Sequence, residues 1–561
     1  MPRDEPLRSE TYDRFGIPET LEPYPDQPVH RFLEDAASEY PEQGLVQFGE
    51  RYSYPEVLAD VDRLATALRE RGVEKGSRVA TILPTSVQFV VASNAISRAG
   101  GVHVPNDFLD AEGDLRDRLE RSDPEVLIGR DEHRELVRSL TADLDIGDVI
   151  LTSLDDYSAN PPGDHETVDG AERLPTVLEE TERAPPDVDF DAENDVHTVL
   201  FTGGTTGRPK GCLLTHRNLV ANALQGVAVQ SQLAELLRGS EAAVMALPMY
   251  HAYGYSITNC LLELALDVLL VPDARNTARM SDLIETHEPL VVFGVPTQFV
   301  DLADEELPAG VFGIAGSAPL ANETKSAFER EAAGISQGYG LSEMSPLTHF
   351  DVHGVYDLLT GSSAETGFDH PTIGVPVPDT DVALRDVDTG AEIPLERAAA
   401  EELEGELLVT GPQRMKGYLD ADSEPFDEEG YVATGDVAKV DSSGRFYVVD
   451  RVKHMINVSG LKVYSETVDE VLYGLEGVRR PATIGVPDPE RPGSERVHVV
   501  IEPEPDADLT AADVVDHLEG EVPDYAMPAE VTFLESIPVT DMAKTDKETL
   551  RERVTSDAEP D

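Results

Sequence analysis

The chain has 561 residues, of which 40% are hydrophobic, and its 109 acidic residues outnumber its 44 basic ones to give a formal net charge of −65. A chain of this length can bury a large core and divide into two or more domains, and so negative a surface repels nucleic acids and anionic lipids. No apolar run reaches the ~18 residues of a membrane-spanning helix, and two cysteines, Cys212 and Cys260, exclude a disulfide framework.

The acidic residues are spread along the whole chain rather than held in one tail. High salt shortens the screening length, so the repulsion among these like charges is weaker there. We therefore expect adaptation to a saline, haloarchaeal type of cytoplasm. Residues 1–5 are polar and lead into no apolar run, so no secretory signal is expected. Two free thiols fit a reducing compartment, and we expect a cytoplasmic protein with no integral membrane segment and no nucleic-acid partner.

The first predicted elements alternate between strand and helix. Residues 45–48 and 78–83 have the composition of strands, residues 54–71 carry apolar residues at helical spacing, and residues 87–97 predict a buried helix. Alternation of this kind predicts an α/β sheet.

Residues 151–195 are acidic and proline-rich, and they predict a surface connection to a glycine-rich loop. Residues 199–201 predict the end of one strand, and residues 212–214 predict the start of the next. The loop between them consists of Thr202, Gly203, Gly204, Thr205, Thr206, Gly207, Arg208, Pro209, Lys210 and Gly211.

This loop has the residue types that hold a polyphosphate. Glycines let backbone N–H groups approach a ligand closely, threonine hydroxyls donate to oxygens, and Lys210 adds a compact positive charge. It is not a Walker A motif, because that motif requires Ser or Thr directly after the lysine and Gly211 stands there. A glycine- and threonine-rich surface turn is the alternative interpretation.

From residue 241 the α/β alternation resumes, with strand candidates at 243–247, 268–271, 291–295 and 311–315. His251 follows the first of these strands among aromatic residues. It could face a ligand, and the alternative is a hydrogen-bonded core histidine.

A second ligand-binding pattern combines an aromatic residue between glycines with a hydroxyl and a carboxylate. The pattern comprises Gly338, Tyr339, Gly340, Ser342 and Glu343. The ring could lie against a base, and the polar groups could meet phosphate and a metal ion. The alternative is a glycine turn that opens a helix with Ser342 as its N-cap.

Residues 380–450 change character to short strands separated by glycine and acidic turns, which predicts a small β-rich subdomain. Asp436 only accepts hydrogen bonds and Arg451 only donates them, so together they could hold a ribose diol; a structural ion pair is the alternative. A compact α/β unit of about a hundred residues follows, which places the domain boundary between 1–452 and 453–561.

In their order and spacing these segments resemble the core motifs of the adenylate-forming (ANL) superfamily, which includes acyl-CoA synthetases, aryl-CoA ligases, luciferases and carrier-protein adenylation domains. The resemblance extends over most of the chain. It implies an α/β fold: a large N-terminal domain of two α/β sheet subdomains plus a small β-rich subdomain, followed by a small mobile α+β C-terminal domain. It also implies ATP, Mg²⁺ and coenzyme A.

The resemblance assigns roles to residues of the large domain. Tyr339 would stack on adenine, Ser342 would contact the α-phosphate, and Glu343 would bind Mg²⁺. Asp436 would hold the ribose with help from Arg451. The other ATP contacts implied are Thr202, Gly203, Gly204, Thr205, Thr206, Gly207, Lys210, Gly316, Ser317, Ala318, Pro319, Gly338 and Gly340, and His251 would stand at the mouth of the acyl pocket.

For the small domain the resemblance implies a catalytic lysine, Lys544, a hinge at Lys453, and a CoA-side loop of Ser459, Gly460, Leu461 and Lys462. Spacing from Pro538 favours Lys544 over Lys547. Two departures from the family pattern occur. Ala543 replaces the usual glycine before the lysine, and Ser465-Glu466-Thr467 replaces Pro-Ala-Glu.

The resemblance thus implies an acyl-CoA synthetase that forms acyl-AMP and pyrophosphate and then transfers the acyl group to CoA. Residues 249–259 and 293–297 would line the pocket for the acid. They contain no arginine, which disfavours a dicarboxylate and favours a medium- or long-chain fatty acid. An aryl acid such as benzoate or a cinnamate is the alternative, followed by a stand-alone adenylation enzyme acting on a carrier protein. A luciferase-like oxygenase and a non-enzymatic binding module are the remaining alternatives, and the chain could form a homodimer.

Overall fold

The computed structural model describes residues 5–161, 170–202, 208–308, 310–354, 372–420, 425–459, 461–489, 491, 494–505, 507–539 and 545–557. These residues form the predicted α/β architecture of two large sheets, a β-rich subdomain and a C-terminal α+β unit.

The first large sheet is parallel except at the edge that carries β9 and β20. Neighbouring residues of β3 face opposite sides of it: Val79 packs into one core cluster, and Ala80 and Ile82 pack into another. In spatial order the described strands are β20 (Gly417–Tyr418), β9 (Gly211–Thr215), β8 (Val196–Phe201), β4 (Val102–Asn106), β3 (Arg78–Ile82), β5 (Val126–Arg130), β6 (Asp148–Thr152) and β7 (Ala171–Arg173).

The second large sheet is parallel in its centre and antiparallel at both edges. In spatial order its described strands are β16 (Val375–Pro376), β15 (Leu347–Phe350), β14 (Gly334–Gly340), β13 (Phe312–Ala315), β12 (Val291–Gly294), β10 (Ala242–Met245), β11 (Asp267–Leu270), β1 (Gly44–Gln47) and β2 (Glu50–Ser53). The strands predicted from the sequence in both sheets are confirmed, with ends that shift by at most two residues.

Helices cover the two large sheets. The predicted helix at 54–71 begins with a capping box between Ser53 and Glu56 and buries Val57, Val61 and Leu64 at helical spacing. In the N-terminal part the described helices are α1 (Glu5–Phe15), α2 (Arg31–Glu39), α3 (Tyr54–Glu70), α4 (Val87–Arg98), α5 (Glu112–Ser122), α6 (Arg134–Asp143), α7 (Leu174–Glu180), α8 (His216–Ala228), α9 (Ser231–Leu237), α10 (Ala252–Leu264), α11 (Thr277–His287), α12 (Pro296–Leu302), α13 (Asn322–Phe328) and α14 (Leu395–Glu401).

The β-rich subdomain predicted at 380–450 is an antiparallel sheet. In spatial order its described strands are β18 (Glu392–Ile393), β17 (Asp381–Arg385), β19 (Gly405–Thr410), β21 (Val432–Val440) and β22 (Phe446–Arg451).

The C-terminal unit has its own core, in which Val468, Val499 and Val514 are buried. Its described elements are strands β23 (Ile456–Val458), β24 (Leu461–Val463), β25 (Val478–Pro487), β26 (Glu495–Pro503) and β27 (Glu530–Phe533), and helices α15 (Ser465–Tyr473), α16 (Ala511–Leu518) and α17 (Lys547–Asp557). Among the described helices of the whole chain, none has the length and hydropathy to cross a bilayer.

One prediction about the fold is wrong. Residues 151–195 are more than a surface connection, because they contain the edge strand β7 and the helix α7. Leu174 and Val177 of α7 are buried, and the helix packs against α3. Two apolar residues at helical spacing suffice for a short helix that lies on an existing surface.

Candidate active site

A cavity of about 910 Å³ lies where the two large sheets, the β-rich subdomain and the C-terminal unit meet. Its walls come from segments far apart in the sequence, because the strands that carry them end at this junction. Of the site residues predicted from the sequence, those that line it are Thr202, Lys210, His251, Ser317, Ala318, Pro319, Gly338, Tyr339, Gly340, Ser342, Glu343, Asp436, Arg451 and Lys453.

The predicted phosphate loop joins strands β8 and β9. Its two ends are held together, since Thr202 N donates to the Lys210 carbonyl at 2.9 Å and Lys210 N donates to Thr202 Oγ1 at 3.1 Å. Arg121 fixes the exit of the loop by donating to the Pro209 carbonyl at 2.7 Å. The intervening predicted residues, Gly203, Gly204, Thr205, Thr206 and Gly207, lie outside the described residues.

Glu343 lies in a short 3₁₀ helix, Ser342–Met344, at the end of the second sheet. Its Oε1 atom accepts a hydrogen bond of 2.8 Å from the hydroxyl of Tyr418. The Lys210 ammonium stands 4.8 Å from the centre of the same tyrosine ring. Glu343 and Lys210 both line the cavity, and one tyrosine contacts both of them, the carboxylate through its hydroxyl and the ammonium through its ring.

The predicted adenine wall is shaped by close backbone approaches. A Cβ atom at Gly316 would stand 2.8 Å from the Tyr253 ring, and a Cβ atom at Gly340 would stand 1.9 Å from the Pro346 carbonyl. Tyr253 is held by a 3.0 Å hydrogen bond to the Ile314 carbonyl. Gly316 is required for packing beneath the cavity and does not itself line it.

Asp436 and Arg451 are direct partners on strands β21 and β22. Arg451 Nε donates to Asp436 Oδ1 at 2.7 Å, and the Tyr339 hydroxyl donates to Asp436 Oδ2 at 2.6 Å. Burial alone would lower the pKa of Arg451, but the Asp436 carboxylate outweighs it and raises the pKa. Both oxygens of Asp436 are thus oriented by donors at the edge of the cavity.

His251 precedes helix α10 and lines the cavity. Its Nε2 atom lies 3.8 Å from the buried carboxylate of Asp107, and its ring packs against Tyr250 with the centroids 4.7 Å apart. This histidine therefore has structural partners and also lines the cavity, and its role at the acyl pocket stays a prediction.

Next to His251 the cavity extends into an apolar branch between helices α8, α9 and α10. Gly226 faces it from α8, where an added Cβ would stand 3.2 Å from the Cys260 sulfur. The lining residues from the three helices are Gly226, Val227, Leu233, Ala234, Leu237, Ser256, Ile257, Cys260, Leu261 and Leu264. No charged side chain of the described residues on α8, α9 or α10 lines this branch.

The described residues of the predicted CoA-side loop, Ser459, Leu461 and Lys462, do not line the cavity. Ser459 N donates to Ser494 Oγ at 2.8 Å, Leu461 is half-exposed, and Lys462 pairs with Asp388 at 2.7 Å. The C-terminal unit instead presents Thr545 and Lys547 to the cavity. Gly460 and Lys544 lie outside the described residues.

Lys547 is buried against carboxylates of helix α15. Its ammonium donates to Asp469 at 2.7 Å, to Ser465 Oγ at 2.8 Å and to Glu466 at 3.0 Å. Burial alone would lower the pKa of Lys547, but the Asp469, Glu466 and Asp450 carboxylates outweigh it and raise the pKa. The segment that departs from the family pattern, residues 465–467, thus supplies two of the three partners.

The same cluster contains the only grouping of potential metal ligands among the described residues, in which Asp450, His454 and Glu466 place ligand atoms within 4.8 Å of one another. Because the Lys547 ammonium bonds Glu466 directly, a positive charge is already supplied there. We therefore assign the cluster to the junction between the domains rather than to a metal centre.

Two contributors to the site were missed in the sequence. Tyr418 belongs to a two-residue strand, β20, that has no periodicity of its own. Asp107 follows β4 and comes close to His251 only through the packing of the two sheets. Neither position carries a local signal, because each acts through a residue more than 70 positions away.

The sequence matches the family model described as AMP-binding enzyme over residues 33–419, and the model described as AMP-binding enzyme C-terminal domain over residues 467–544. A long-chain-fatty-acid–CoA ligase of Bacillus subtilis is 30% identical over 96% of this chain and 96% of its own length. A feruloyl-CoA synthase of an Amycolatopsis species is 31% identical over 90% of this chain and 94% of its own.

Solved structures share the fold over nearly the whole chain. ATP-bound MatB from Rhodopseudomonas palustris has a TM-score of 0.81 at 25% identity, with 95% of this chain and 100% of that chain covered. The o-succinylbenzoate CoA synthetase of Bacillus subtilis, in complex with its acyl-adenylate intermediate, has a TM-score of 0.76 at 20% identity, with 94% and 98% covered.

Proposed function

The chain belongs to the family of AMP-binding enzymes and is an AMP-forming acid–CoA ligase, and we propose that its acid is a medium- or long-chain fatty acid. In the first half-reaction the acid and ATP give acyl-AMP and pyrophosphate. In the second, the thiol of CoA displaces AMP and gives acyl-CoA.

The observation that carries the proposal is the apolar branch between helices α8, α9 and α10. Aliphatic side chains such as Leu233, Leu261 and Leu264 line it, and no charged group does so among the described residues of those helices. An alkyl chain gains free energy there in proportion to the apolar surface it buries. A charged terminal group would lose its hydration without a partner, which disfavours a dicarboxylate.

An aryl acid is the second candidate, and one observation favours it. The Tyr253 ring lines the cavity and packs against Gly316, and an aromatic acid could stack on it. The branch is also lined by Leu233, Leu261 and Leu264, whose apolar surface favours an alkyl chain.

The groups for adenylation are arranged around the entrance to this branch. Lys210 and the Thr202 hydroxyl would hold the phosphates, and Asp436 would accept from the ribose hydroxyls. The Glu343 carboxylate is a hard oxygen ligand of the kind Mg²⁺ prefers, and together with phosphate oxygens it would hold that ion. The bound ion would neutralise charge on the phosphates.

For the first half-reaction the Lys544 ammonium would come to the reacting carboxylate and α-phosphate. Such transfer depends mainly on positioning and electrostatic stabilisation, so added positive charge lowers the barrier. The position of Thr545 and Lys547 in the cavity wall supports this role. For the second half-reaction the C-terminal domain would turn about Lys453 and bring Ser459, Gly460, Leu461 and Lys462 to the site.

The test is CoA-dependent release of AMP, measured in high salt over saturated acids of increasing length, benzoate, a cinnamate and a dicarboxylate. The proposal predicts the largest kcat/KM for medium- or long-chain acids. A maximum at the aromatic acids would establish the second candidate, and formation of acyl-AMP without transfer to CoA would indicate a carrier-protein substrate.

A further inference from the structure

Tyr418 contacts two residues of opposite charge. Its hydroxyl donates to Glu343 at 2.8 Å, and its ring centre lies 4.8 Å from the Lys210 ammonium. Lys210 and Glu343 are both described, yet no ion pair within 4.0 Å joins them. A neutral side chain is thus the partner of both charges.

We propose that Tyr418 is a positioning residue for adenylation. Its contacts keep the Glu343 carboxylate and the Lys210 ammonium from pairing with each other, so that the carboxylate can bind the metal ion and the ammonium can bind the phosphates. The inference rests on the proposed roles of Lys210 at the phosphates and of Glu343 at the metal ion.

The main chain around Tyr418 is fixed on both sides. We call residues 415–419 the strap. Met415 N donates to the Glu343 carbonyl at 2.7 Å, and Leu419 N donates to the Gly211 carbonyl at 2.7 Å. In between, Tyr418 pairs with Cys212 of β9 in antiparallel register. The strap therefore connects the segment of Glu343 to the strand that begins directly after Lys210.

The chemistry of a tyrosine suits this place better than that of a charged residue. If Lys210 and Glu343 paired with each other, phosphate and metal binding would first have to break a charge-assisted hydrogen bond. The tyrosine hydroxyl orients the carboxylate without neutralising it, and the ring face attracts the ammonium without forming a hydrogen bond.

Two substitutions separate the two contacts. Tyr418→Phe removes the hydroxyl and keeps the ring, whereas Tyr418→Leu removes both. The readouts are the Mg²⁺ dependence of ATP–pyrophosphate exchange and the calorimetric Kd of ATP, measured once with Mg²⁺ and once in EDTA.

In Tyr418→Phe the half-saturating Mg²⁺ concentration should rise roughly tenfold, because the carboxylate loses its orienting donor. ATP binding in EDTA should change less than about twofold, since the ring still holds Lys210. In Tyr418→Leu the Kd of ATP in EDTA should also rise, by about threefold.

The matched control is Tyr447→Phe. The Tyr447 hydroxyl donates to the buried Asp441 carboxylate at 2.9 Å, and neither residue lines the cavity. This control should lower the Tm and leave both the Mg²⁺ curve and the ATP Kd unchanged.

An unchanged Mg²⁺ curve in Tyr418→Phe overturns the inference, provided that Glu343→Gln shifts that curve; the proposed function then stands. If Glu343→Gln shows the wild-type Mg²⁺ curve, the metal role of Glu343 fails and the inference fails with it. A uniform loss of activity in Tyr418→Phe, with a lowered Tm and unchanged Kd values, also overturns it.

Discussion

Asp436 and Arg451 lie opposite each other on neighbouring strands, and Tyr339 closes the group from a third strand in another sheet. Each carboxylate oxygen of Asp436 has one strong donor, at 2.7 Å and 2.6 Å. The carboxylate is therefore fixed in orientation by two sheets at once.

Replacing Asp436 by Asn removes the charge while preserving the shape of the side chain. The Kd of ATP should rise by about 10- to 100-fold, since hydrogen bonds to a charged group contribute ~1.5–3 kcal/mol. Calorimetry measures the Kd. Asp441→Asn is the matched control, because Asp441 pairs with Arg445 at 2.8 Å in the turn that joins β21 to β22, outside the cavity. Equal loss of ATP binding in both variants would contradict the role of Asp436.

Lys544→Ala should abolish most adenylation and leave thioester formation from supplied acyl-AMP nearly intact. The reason is that only the first half-reaction requires the additional positive charge at the α-phosphate. Pyrophosphate exchange and CoA-dependent release of AMP from acyl-AMP measure the two steps separately. Equal losses in both steps would exclude Lys544 as the adenylation lysine.

Lys547→Met should act on stability instead. The substitution leaves the Asp469 and Glu466 carboxylates beside Asp450 without their cation, and such a loss costs ~3–5 kcal/mol. Urea unfolding in high salt should show the destabilisation. Both half-reactions should fall together, in proportion to the folded fraction. A selective loss of adenylation with unchanged stability would show that Lys547 takes part in the chemistry.

The stability of the domain junction should depend on pH through Asp450. Burial raises the pKa of this carboxyl to about 7, with the Lys547 ammonium opposing and Glu466 reinforcing the shift. The folded state therefore holds a proton that the unfolded chain releases near its ordinary pKa. Arg451, His454 and Ser465 complete the surroundings of the group.

It follows that the contribution of Asp450 to stability is full below pH ~4 and is lost as pH rises through ~7. Urea unfolding as a function of pH should show this slope in the wild type and not in Asp450→Asn. In Asp441→Asn the pH dependence of stability should instead differ from wild type at acid pH. Hydrogen bonds and Arg445 lower the pKa of Asp441 against the effect of burial, so the wild type loses this contribution to stability as pH falls. If the stability of Asp450→Asn depended on pH as in the wild type, Asp450 would not be the group responsible.

Gly226→Val should shorten the preferred acid. The added side chain would enter the apolar branch beside Cys260 and Leu347, at 3.2 and 3.5 Å from the new Cβ. We expect kcat/KM for long-chain acids to fall more than about tenfold and that for short acids to fall less than about threefold, as expected for the loss of one to two methylene contacts. Gly113→Val is the control, since nothing lies within 4 Å of a Cβ there. Equal losses for all chain lengths would place the acid elsewhere.

The sequence predicted the parts of the molecule whose residues carry a repeating pattern or a chemical signature. The buried helix α4 and the strand β3 were identified within one residue at each end because apolar periodicity encodes them directly. Asp436 and Arg451 could be paired because complementary side chains stood in two adjacent short strands.

Contacts that depend on packing between distant segments could not be predicted. Tyr418 meets Glu343 across 75 positions of sequence, and its strand has only two residues. Helix α7 was hidden in an acidic, proline-rich stretch, because its two buried residues give too short a pattern to stand out. The strand of Tyr418 and helix α7 are each stabilised by packing against residues that lie far away in the sequence.

The two residues that flank the segment containing Lys544, Val539 and Thr545, lie next to each other. Val539 and Thr545 form an antiparallel bridge, Asp546 N donates to the Pro538 carbonyl at 2.9 Å, and Lys547 anchors this base beneath helix α15. Because Ile537 and Leu550 on either side of this base are buried in the C-terminal core, the orientation of the whole domain sets the position of the base. On the proposed role of Lys544, a modification or partner that tilts the domain would therefore change the rate of adenylation without contacting either substrate.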